Sequence, residues 1–425
     1  MRKQQDHITV FEHERLYADR GEKQITPAQL KALQSYYGNG VPYFSLCNNG
    51  VQFNEHVGVI QVGPTLIEVL PKADKNAASE VEEKKWRDLL IGMLKAVGSF
   101  DIKATSNSTL KIKPNTILDL YFEMFIKETE YLLHNGLIKK YRKKEGNVTA
   151  LKGNLLFAKN IQQNLTHNER FYVRYSTYDV EHTLHCILYK AINLLKQINA
   201  NAALHGRIGA LLLYFPEMPD LKVTGATFEK LSFNRKTYGY KKAIEIARLL
   251  LLQYHPDVSK GRNNVLALMF DMNVLWEQFV VVSLRRQKEK NWSVTSQTSK
   301  YFWQPEKGIR SQMRPDIVLN KDKDNCIVLD TKWKNLGGYN PSPADLRQLY
   351  VYQQYYTAQK VALVYPGSET NQAKGNFLDF RAGNSREKEC SVITIAVQTP
   401  VKAWQQQIRE DFLTWMQQPI SDTNK

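Results

Sequence analysis

The sequence predicts a multidomain α/β protein, with a β-rich and helical N-terminal half followed by a C-terminal half in which strands succeed a long helix. Three observations support this fold class. The chain has 425 residues, enough for two or three domains with separate cores. Apolar, β-branched stretches separated by turns are typical of residues 1–75. Helical periodicity then dominates until short apolar strands appear after about residue 286.

The clearest strand signal in the N-terminal half is the segment HVGVIQVGPTLIEVLPKA. Its two apolar stretches, Val57–Val62 and Leu66–Leu70, are separated by Gly63-Pro64, which predicts a hairpin that ends at Pro71. Residues 74–85 are charged and have almost no core residues. They are predicted to form a linker or the exposed start of a helix.

Helical periodicity predicts most of the middle of the chain. Apolar residues after Trp86 fall on one helical face, and four further helices follow. These are predicted at Ile117–Leu133, Leu184–Leu195, Lys241–Tyr254 and Leu266–Arg286, and the last has the strongest amphipathic pattern. The sequence is therefore divided into an N-terminal β-rich and helical region, a central mostly helical region and a C-terminal domain, at residues 1–150, 151–260 and 261–425.

The C-terminal domain is predicted to alternate strands and a helix. Strands are expected at Ile317–Leu319, Cys326–Leu329 and Val361–Tyr365, because these are short apolar runs bounded by polar turns. A helix is expected at Pro343–Thr357, between the second strand and the third.

Composition and charge restrict the class of protein. No apolar run is long enough to cross a bilayer, the first residues have no apolar core of a signal peptide, and the four cysteines form no CxxC pair. A cytoplasmic protein with reduced thiols is expected. The formal net charge of +16 indicates a polyanionic partner, DNA or RNA. The densest basic cluster, Lys139–Lys144, is interpreted either as a solvated helix end or as a contact for nucleic acid or a partner.

The segment RPDIVLNKDKDNCIVLDTKWKN, residues 314–335, carries a catalytic pattern. In a strand, Asp330 and Lys332 share a face while Thr331 points away, and a hairpin brings Asp316 beside them. Two carboxylates are suitable ligands for Mg²⁺, with Mn²⁺ as the alternative ion. A metal at this point polarises a phosphoryl oxygen and lowers the pKa of a bound water, while the lysine positions that water. The expected reaction is phosphodiester hydrolysis.

This pattern resembles the PD-(D/E)xK nuclease superfamily, in Pro315-Asp316 and Asp330-Thr331-Lys332. The resemblance implies a restriction-endonuclease-like αβββαβ core. Gln348 and Tyr352, four residues apart on one helical face, are similar to the Q-x-x-x-Y helix of RecB-like members. The resemblance also suggests Glu277 as a further acidic metal ligand, and the alternative is a solvated helix residue.

Further segments resemble the McrC family, the nuclease subunit of McrBC-type restriction systems. They are VGVIQVGPTLIEVLPK (57–72), LKGNLLFAKNI (151–161), DVEHTLHCILYKAINLL (179–195) and MNVLWEQFV (272–280), in the family's order. The resemblance implies that the chain acts with McrB, a AAA+ GTPase that recognises modified DNA and translocates on it. It implies that the N-terminal region, with 1–150 as the candidate motor-binding domain, stimulates GTP hydrolysis, and that the C-terminal domain cuts double-stranded DNA. The chain itself contains no GxxxxGK[ST] nucleotide-binding loop.

Three alternatives remain open at this stage. A stand-alone RecB-like nuclease would have the same centre, but the long N-terminal half argues against it. A non-catalytic DNA-binding or scaffold protein is disfavoured because an acidic cluster without a cation is costly. A metal site at His182 and His185, with Asp179 and Cys186 nearby, has no evident third strong ligand, so a packed or solvated histidine pair is preferred.

Overall fold

The computed structural model of the chain describes residues 7–38, 40–63, 65–72, 80–97, 117–255, 265–286, 292–334, 336, 340–378 and 385–418. Its α-helices are α1 Pro27–Tyr37, α2 Glu80–Val97, α3 Ile117–His134, α4 Phe157–Asn164, α5 Thr183–Ile198, α6 Ala202–Tyr214, α7 Gly225–Glu229, α8 Lys241–Leu252, α9 Met272–Arg285, α10 Pro343–Tyr356 and α11 Val401–Gln417, with a 3-10 helix at Tyr238–Tyr240.

The strands are β1 His7–Phe11, β2 Arg15–Tyr17, β3 Phe44–Cys47, β4 Gly50–Phe53, β5 His56–Val62, β6 Thr65–Leu70, β7 Lys140–Val148, β8 Asn154–Leu155, β9 Phe171–Asp179, β10 Tyr254–His255, β11 Val265–Asp271, β12 Val294–Ser296, β13 Lys300–Trp303, β14 Ser311–Met313, β15 Ile317–Leu319, β16 Ile327–Thr331, β17 Lys360–Gly367, β18 Asn371–Leu378 and β19 Ser385–Ala396. Among the helices of the described residues, none is both long and apolar enough to cross a membrane.

The chain divides into two compact units that are discontinuous in sequence. The first contains described residues from 1–108 and 257–425, and the second contains those from 109–256. These bounds differ from the three segments drawn from the sequence, because β11 pairs with β5 and so joins the N-terminal and C-terminal parts of the chain. The predicted boundary at residues 260 and 261 lies outside the described residues, as does the 74–79 part of the predicted linker.

The N-terminal sheet of the first unit is built around the predicted hairpin. β5 and β6 pair antiparallel with Val62 opposite Thr65, which confirms the hairpin at these positions. β1 adds in parallel to β6, and β11 adds antiparallel to β5. At Gly58, where φ is 141°, a Cβ atom would lie 2.1 Å from the carbonyl oxygen of Leu268. Only glycine therefore allows β11 to approach β5 this closely.

The prediction of a long helix at Leu266–Arg286 is wrong for its first six residues. That part belongs to β11, which lies buried opposite β5, and the helix α9 begins at Met272. The side chain of Asp271 caps α9 by accepting hydrogen bonds from the backbone N–H groups of Asn273 and Val274. A continuous apolar run fits a buried strand and a buried helix equally well, so periodicity alone places the boundary wrongly.

The C-terminal sheet of the first unit has the strand order β12-β15-β16-β17-β19-β18. β15 and β16 are antiparallel, whereas β16, β17 and β19 run parallel to one another. The predicted strands and helix of this region are confirmed, with β16 extending two residues further to Thr331. Along the chain the order is α9, β12, β15, β16, α10 and β17, and the separate hairpin β13–β14 lies between β12 and β15.

Aromatic side chains pack helix α9 against the C-terminal sheet and helix α11. The ring of Trp276 stacks on that of Trp404 at 5.2 Å and meets the ring of Trp333 edge-on at 5.7 Å. The indole N–H of Trp276 donates to the carbonyl oxygen of Val364 in β17. All four of these residues are buried, so the position of α9 relative to β16 and β17 is well defined by packing.

In the part of the second unit that the structure describes, residues 117–255, there are four long helices, α3, α5, α6 and α8, and a small sheet. α3, α5 and α8 confirm the predicted helices, with ends shifted by one to three residues. The basic cluster Lys139–Lys144 was interpreted in part as a helix end, and that interpretation is wrong because it leads into strand β7, which pairs with β9 over nine residues. Alternation along β7 turns Arg142 and Lys144 to one side, where both form ion pairs with Asp179 at 3.0 and 3.3 Å.

Candidate active site

The candidate site begins at the open end of the β15–β16 hairpin. Ile317 of β15 pairs with Leu329 of β16, so Asp316 and Asp330 are the next residues at this end of the two strands. At the closed end, Asn320 adopts a φ of 49°, and its side-chain oxygen accepts a hydrogen bond from the backbone N–H of Ser293. Asparagine tolerates this left-handed conformation well, which stabilises the polar turn predicted from the sequence.

Asp330 and Lys332 lie together, as strand alternation predicts. The Nζ atom of Lys332 is 2.7 Å from Oδ2 of Asp330, which is only 1% exposed. Burial and the nearby carboxylate of Asp316 raise the pKa of Asp330 to about 6, against the lowering effect of Lys332. Burial lowers the pKa of Lys332, but the charges of Asp330 and Asp316 outweigh it and raise that pKa. The lysine is therefore a cation at neutral pH.

Asp316 is held by a residue that the sequence pattern leaves outside the site. Its Oδ2 atom accepts hydrogen bonds from the backbone N–H of Thr331 at 2.7 Å and from the Thr331 hydroxyl at 2.8 Å. Strand alternation predicts that Thr331 points away from the Asp330 face, yet both of its donors reach Asp316. Thr331, the middle residue of the D-x-K pattern, thus positions the carboxylate of Asp316. In the sequence, only the presence of a hydroxyl at this position indicates that contact.

Glu277 of α9 lies near the two aspartates. Burial and the charge of Asp316 raise its pKa to about 7, with a smaller contribution from Asp330. Its Oε1 atom accepts a hydrogen bond from the side-chain N–H of Gln297 at 3.3 Å. The guanidinium of Arg314 donates to the side-chain oxygen of the same glutamine. Glu277 is half-buried and electrostatically coupled to the aspartates, so it differs from a solvated helix residue.

Gln348 and Tyr352 share a face of α10, as their spacing predicts. The side-chain amide of Gln348 donates to the Tyr352 hydroxyl at 2.7 Å, and that hydroxyl donates to the backbone carbonyl of Arg314 at 3.1 Å. Burial raises the pKa of Tyr352, and the charges of Asp330 and Asp316 raise it further. The pair therefore fixes the backbone two residues before Asp316 and lies within electrostatic reach of both aspartates.

A second network, which the sequence did not indicate, holds the residue after Lys332. The backbone N–H of Trp333 donates to the side chain of Asn273 at 3.1 Å, and its indole N–H donates to Oε1 of Glu12 at 2.9 Å. Glu12 also accepts a hydrogen bond from the backbone N–H of Lys72 at 2.7 Å. Burial raises the pKa of Glu12 to about 7. The N-terminal sheet thereby contacts the strand that carries the candidate catalytic residues.

The three carboxylates do not form a ready three-ligand cage. Among the described residues, no group of three or more His, Cys, Asp or Glu side chains has the geometry to hold a metal ion. Mg²⁺ commonly binds through one or two carboxylates and keeps several waters, and the oxygen donors of Asp316, Asp330 and Glu277 match its ligand preference. The donor set therefore fits Mg²⁺ by its chemistry, with water completing the coordination.

The two histidines considered as another metal site make structural contacts. The Nδ1 atom of His182 caps helix α5 by accepting from the backbone N–H of Leu184 at 3.1 Å. His185 is fully buried, and its ring contacts the Val180 carbonyl oxygen and the Tyr240 hydroxyl. Burial lowers the pKa of both rings. These contacts account for both side chains without a ligand.

Comparison with known proteins gives one family match. The family described as McrBC, the McrBC 5-methylcytosine restriction system component, matches residues 51–366. No curated protein matches the chain significantly. Among solved structures, the chain is similar to a chain of the refined half-complex from the tetradecameric assembly of Thermococcus gammatolerans McrB AAA+ hexamers with bound McrC. The TM-score is 0.69 and the identity 18%, over 96% of this chain and 100% of that one.

A second similarity is weaker. The cryo-EM structure of the Thermococcus gammatolerans McrBC complex contains a chain with a TM-score of 0.48 and 18% identity, over 66% of this chain and 87% of that one. The first similarity thus extends over the whole multidomain α/β fold, while the second is limited to part of it.

Proposed function

The chain belongs to the McrBC 5-methylcytosine restriction system component family, and from this membership we propose that it is the McrC-like endonuclease subunit of a restriction complex. It would hydrolyse DNA phosphodiester bonds with Mg²⁺ when coupled to a partner AAA+ GTPase whose turnover it stimulates. The observation that carries the proposal is the meeting of Asp316, Asp330 and Lys332 at the open end of one hairpin, with Glu277 close by.

The order of the elements around this site supports a PD-(D/E)xK nuclease core. α9 precedes three strands, β12, β15 and β16, and α10 precedes β17, which gives αβββαβ when the inserted hairpin is set aside. Glu277 lies on the first helix, Asp316 and Asp330 at the ends of the second and third strands, and Gln348 on the second helix. These positions support the assignment of the four residues to the proposed core.

The side chains have distinct proposed roles. Asp316 and Asp330 would hold Mg²⁺, with Glu277 as a further ligand, and the Thr331 hydroxyl orients Asp316. When bound, the metal polarises the scissile phosphoryl group and lowers the pKa of a coordinated water. Lys332, kept cationic by the aspartates, positions the attacking water and stabilises negative charge that develops on the phosphate.

The proposed partners are double-stranded DNA and a McrB-like AAA+ GTPase. The likeness to a chain from an assembly of McrB hexamers with bound McrC covers nearly the whole chain. The sequence has no nucleotide-binding loop of its own, so nucleotide-driven translocation requires another subunit. We place the motor contact in the N-terminal region, with residues 1–150 as its candidate. A fragment ending before residue 265 would lack β11 of the N-terminal sheet, so the contact is best tested in the full chain.

The test is a plasmid cleavage assay at physiological salt, with the chain, the partner GTPase, GTP and Mg²⁺, each left out in turn. Double-strand cleavage is expected only in the complete mixture, and the chain should raise GTP turnover with or without DNA cutting. Efficient cutting by the isolated chain with Mg²⁺ would instead establish a stand-alone RecB-like nuclease. Stimulated GTP turnover without cleavage in the complete mixture would establish a non-catalytic subunit.

A further inference from the structure

The hairpin β13–β14 stands apart from both large sheets of its unit. Its strands pair only with each other in the described residues, with Lys300 opposite Met313 and Trp303 opposite Ser311. An isolated two-stranded hairpin is marginally stable in water, so this one depends on contacts made at its base. Its seven-residue connection, residues 304–310, forms the tip.

The hairpin exposes apolar side chains that a solvated loop would not need. Tyr301, Phe302 and Trp303 are consecutive, and they are 56%, 47% and 57% exposed. Ile309 near the tip is 91% exposed. Contiguous exposed apolar side chains of this size mark an interaction surface.

The charge of the hairpin indicates what that surface contacts. Within Lys300–Met313, three cations, Lys300, Lys307 and Arg310, accompany one acid, Glu306. The guanidinium of Arg310 lies over the Tyr301 ring, at 5.5 Å from its centroid. Exposed aromatic side chains beside cations suit duplex DNA, because the cations neutralise phosphates and the rings wedge against base steps, whereas a protein partner would not require the excess of positive charge.

The base of the hairpin is joined directly to the candidate active site. Gln297, just before the hairpin, donates its backbone N–H to the carbonyl oxygen of Asp316 at 3.1 Å and its side-chain amide to Glu277. At the other end, Arg314 precedes Asp316 by two residues and its carbonyl accepts from Tyr352. A ligand on the hairpin is therefore adjacent to the carboxylates.

Residues at the C-terminal end of helix α10 hold the hairpin in place through hydrogen bonds to its first strand and to the residues just before it. The ammonium of Lys300 donates to the Tyr355 carbonyl at 2.9 Å and lies 4.6 Å from the ring centroid of Tyr356. The Tyr355 hydroxyl donates to the Phe302 carbonyl at 3.3 Å, and the Tyr356 hydroxyl donates to the Thr298 carbonyl at 3.0 Å. These contacts fix the backbone of the hairpin and leave its aromatic rings exposed.

We propose that the hairpin Lys300–Met313 is a DNA-contacting element that holds the duplex beside the scissile phosphate, with Tyr301 and Trp303 wedging against base steps and Arg310 contacting a phosphate. The inference rests on the proposed function in one respect, that DNA is the substrate. A strand of four residues spans about 13 Å, which is close to the rise of about four base pairs. The hairpin thus reaches along the duplex from the site of cutting.

The experiment measures equilibrium DNA binding by the isolated full chain in EDTA, where no cleavage occurs. The probe is a fluorescein-labelled 20-base-pair duplex followed by anisotropy. The double variant Tyr301→Ala with Trp303→Ala should raise Kd about tenfold, because it removes the two aromatic side chains that wedge against base steps of the duplex. Arg310→Gln should lower the slope of log Kd against log salt by about 1.

Tyr238→Ala is the matched control, because Tyr238 is 66% exposed and also lies near a cation, Lys241 at 6.0 Å. It should leave Kd and the salt slope unchanged. Equal Kd for the double variant and the parent, with unchanged circular dichroism, would overturn the inference. A loss of motor binding or of self-association at unchanged DNA affinity would overturn it as well and assign the surface to a protein.

The outcome is independent of the test of the proposed function. If the complete mixture fails to cut DNA but the hairpin variant still binds DNA about tenfold more weakly than the parent, the nuclease proposal fails and the hairpin assignment stands. If the parent complex cuts DNA and the hairpin variant binds DNA as tightly as the parent, the nuclease proposal stands and the hairpin assignment fails.

Discussion

The C-terminal sheet carries two buried acid–lysine pairs whose surroundings are opposite in character. Asp330 pairs with Lys332 near the C-terminal end of β16, and Glu389 lies 3.8 Å from Lys360 where β17 and β19 begin. In the sheet register, Lys360 lies opposite Ile327, three residues before Asp330 along the strand direction. Both acids are at most 1% exposed, so burial alone does not distinguish them.

Neutral partners surround the Glu389 pair. Glu389 Oε1 accepts from the Ser391 hydroxyl at 2.6 Å and from the Trp415 indole at 3.1 Å. Lys360 donates to the carbonyl oxygens of Trp415 and Gln418 at 3.2 and 2.6 Å. One acid and one lysine thus balance, and neutral groups hydrogen-bond to the ammonium and to one oxygen of the acid.

The Asp330 pair instead has further acids beside it. Asp316 raises the pKa of both Asp330 and Glu277, so the acids of this cluster repel one another even with Lys332 and Arg314 nearby. A surplus of like charge, rather than burial or an acid–lysine pair, therefore separates the proposed cation-binding site from the structural ion pair.

The largest effect is expected from Asp330→Ala. In the complete complex it should reduce cleavage by at least about a hundredfold, because it removes a proposed metal ligand. DNA binding and stimulation of the partner GTPase should stay within about twofold of the parent, since the variant leaves the other surfaces intact. Plasmid cleavage and GTP turnover, measured on the same preparation, check both parts. Cleavage at the parental rate would remove Asp330 from the site.

The Glu389 end should respond in the opposite way. Glu389→Gln leaves the ammonium of Lys360 buried without its acid, and breaking a buried pair costs about 3–5 kcal/mol in the free energy of unfolding. Denaturant unfolding should show the loss, whereas cleavage by the folded variant should stay within about threefold of the parent. A variant of normal stability with abolished cleavage would break the comparison.

How far the sequence predicts this arrangement depends on the separation of the contacts along the chain. Asp330 and Lys332 lie two residues apart on one strand, and Gln348 and Tyr352 lie four apart on one helix, so strand alternation and helical periodicity predict both pairs. The turn between β15 and β16 is short and polar, which also places Asp316 correctly.

The contacts that the sequence does not predict are distant ones. Glu12 and Trp333 are 321 positions apart, and nothing local marks either as a partner. β11 is apolar on both faces because it is buried in the N-terminal sheet, so its residues also fit the helix that was predicted there. The partners of Glu389, which are Lys360 and Trp415, likewise lie on other elements, so nothing in the sequence marks Glu389 as a buried acid.

Glu12 is a third buried acid. Its hydrogen-bond donors are neutral, like those of Glu389, and the charge of Glu55 makes only the smallest contribution to its raised pKa. Its folded-state pKa, about 7, lies above the ordinary 4.5, so the folded protein binds more protons than the unfolded chain between these pH values. The stability that this protonation contributes is present at low pH and is lost as the pH rises towards 7. At about 1.4 kcal/mol per pKa unit, the loss between pH 5 and pH 8 is about 2 kcal/mol.

Glu12→Gln should remove this pH dependence, because an amide does not titrate in that range. The measurement is the free energy of unfolding of parent and variant at pH 5, 6, 7 and 8, with the difference taken at each pH. The free energy of unfolding of the variant, relative to that of the parent, should rise from pH 5 to pH 8. Cleavage should change by less than about threefold. A pH-independent difference would show that Glu12 is charged throughout.

The smallest effect on stability is expected from Glu277→Gln. The sign of the change in the free energy of unfolding distinguishes a cluster of repelling acids, as around Asp330, from a structural ion pair such as that of Glu389. Removing one acid from the Asp330 cluster relieves repulsion that the Gln297 amide and the charge of Arg314 offset only in part, so the folded protein should become more stable. Glu277 is half-exposed and its charge is screened, which limits the gain to about 1 kcal/mol.

Cleavage should fall at the same time, and higher Mg²⁺ should partly restore it, because the variant weakens metal binding without removing Asp316 or Asp330. Gain of stability with loss of activity is the pattern of a site that keeps repulsive charges for its function. Unfolding free energy and a Mg²⁺ titration of cleavage check it together, and a loss of stability equal to that of Glu389→Gln would place Glu277 among the structural acids.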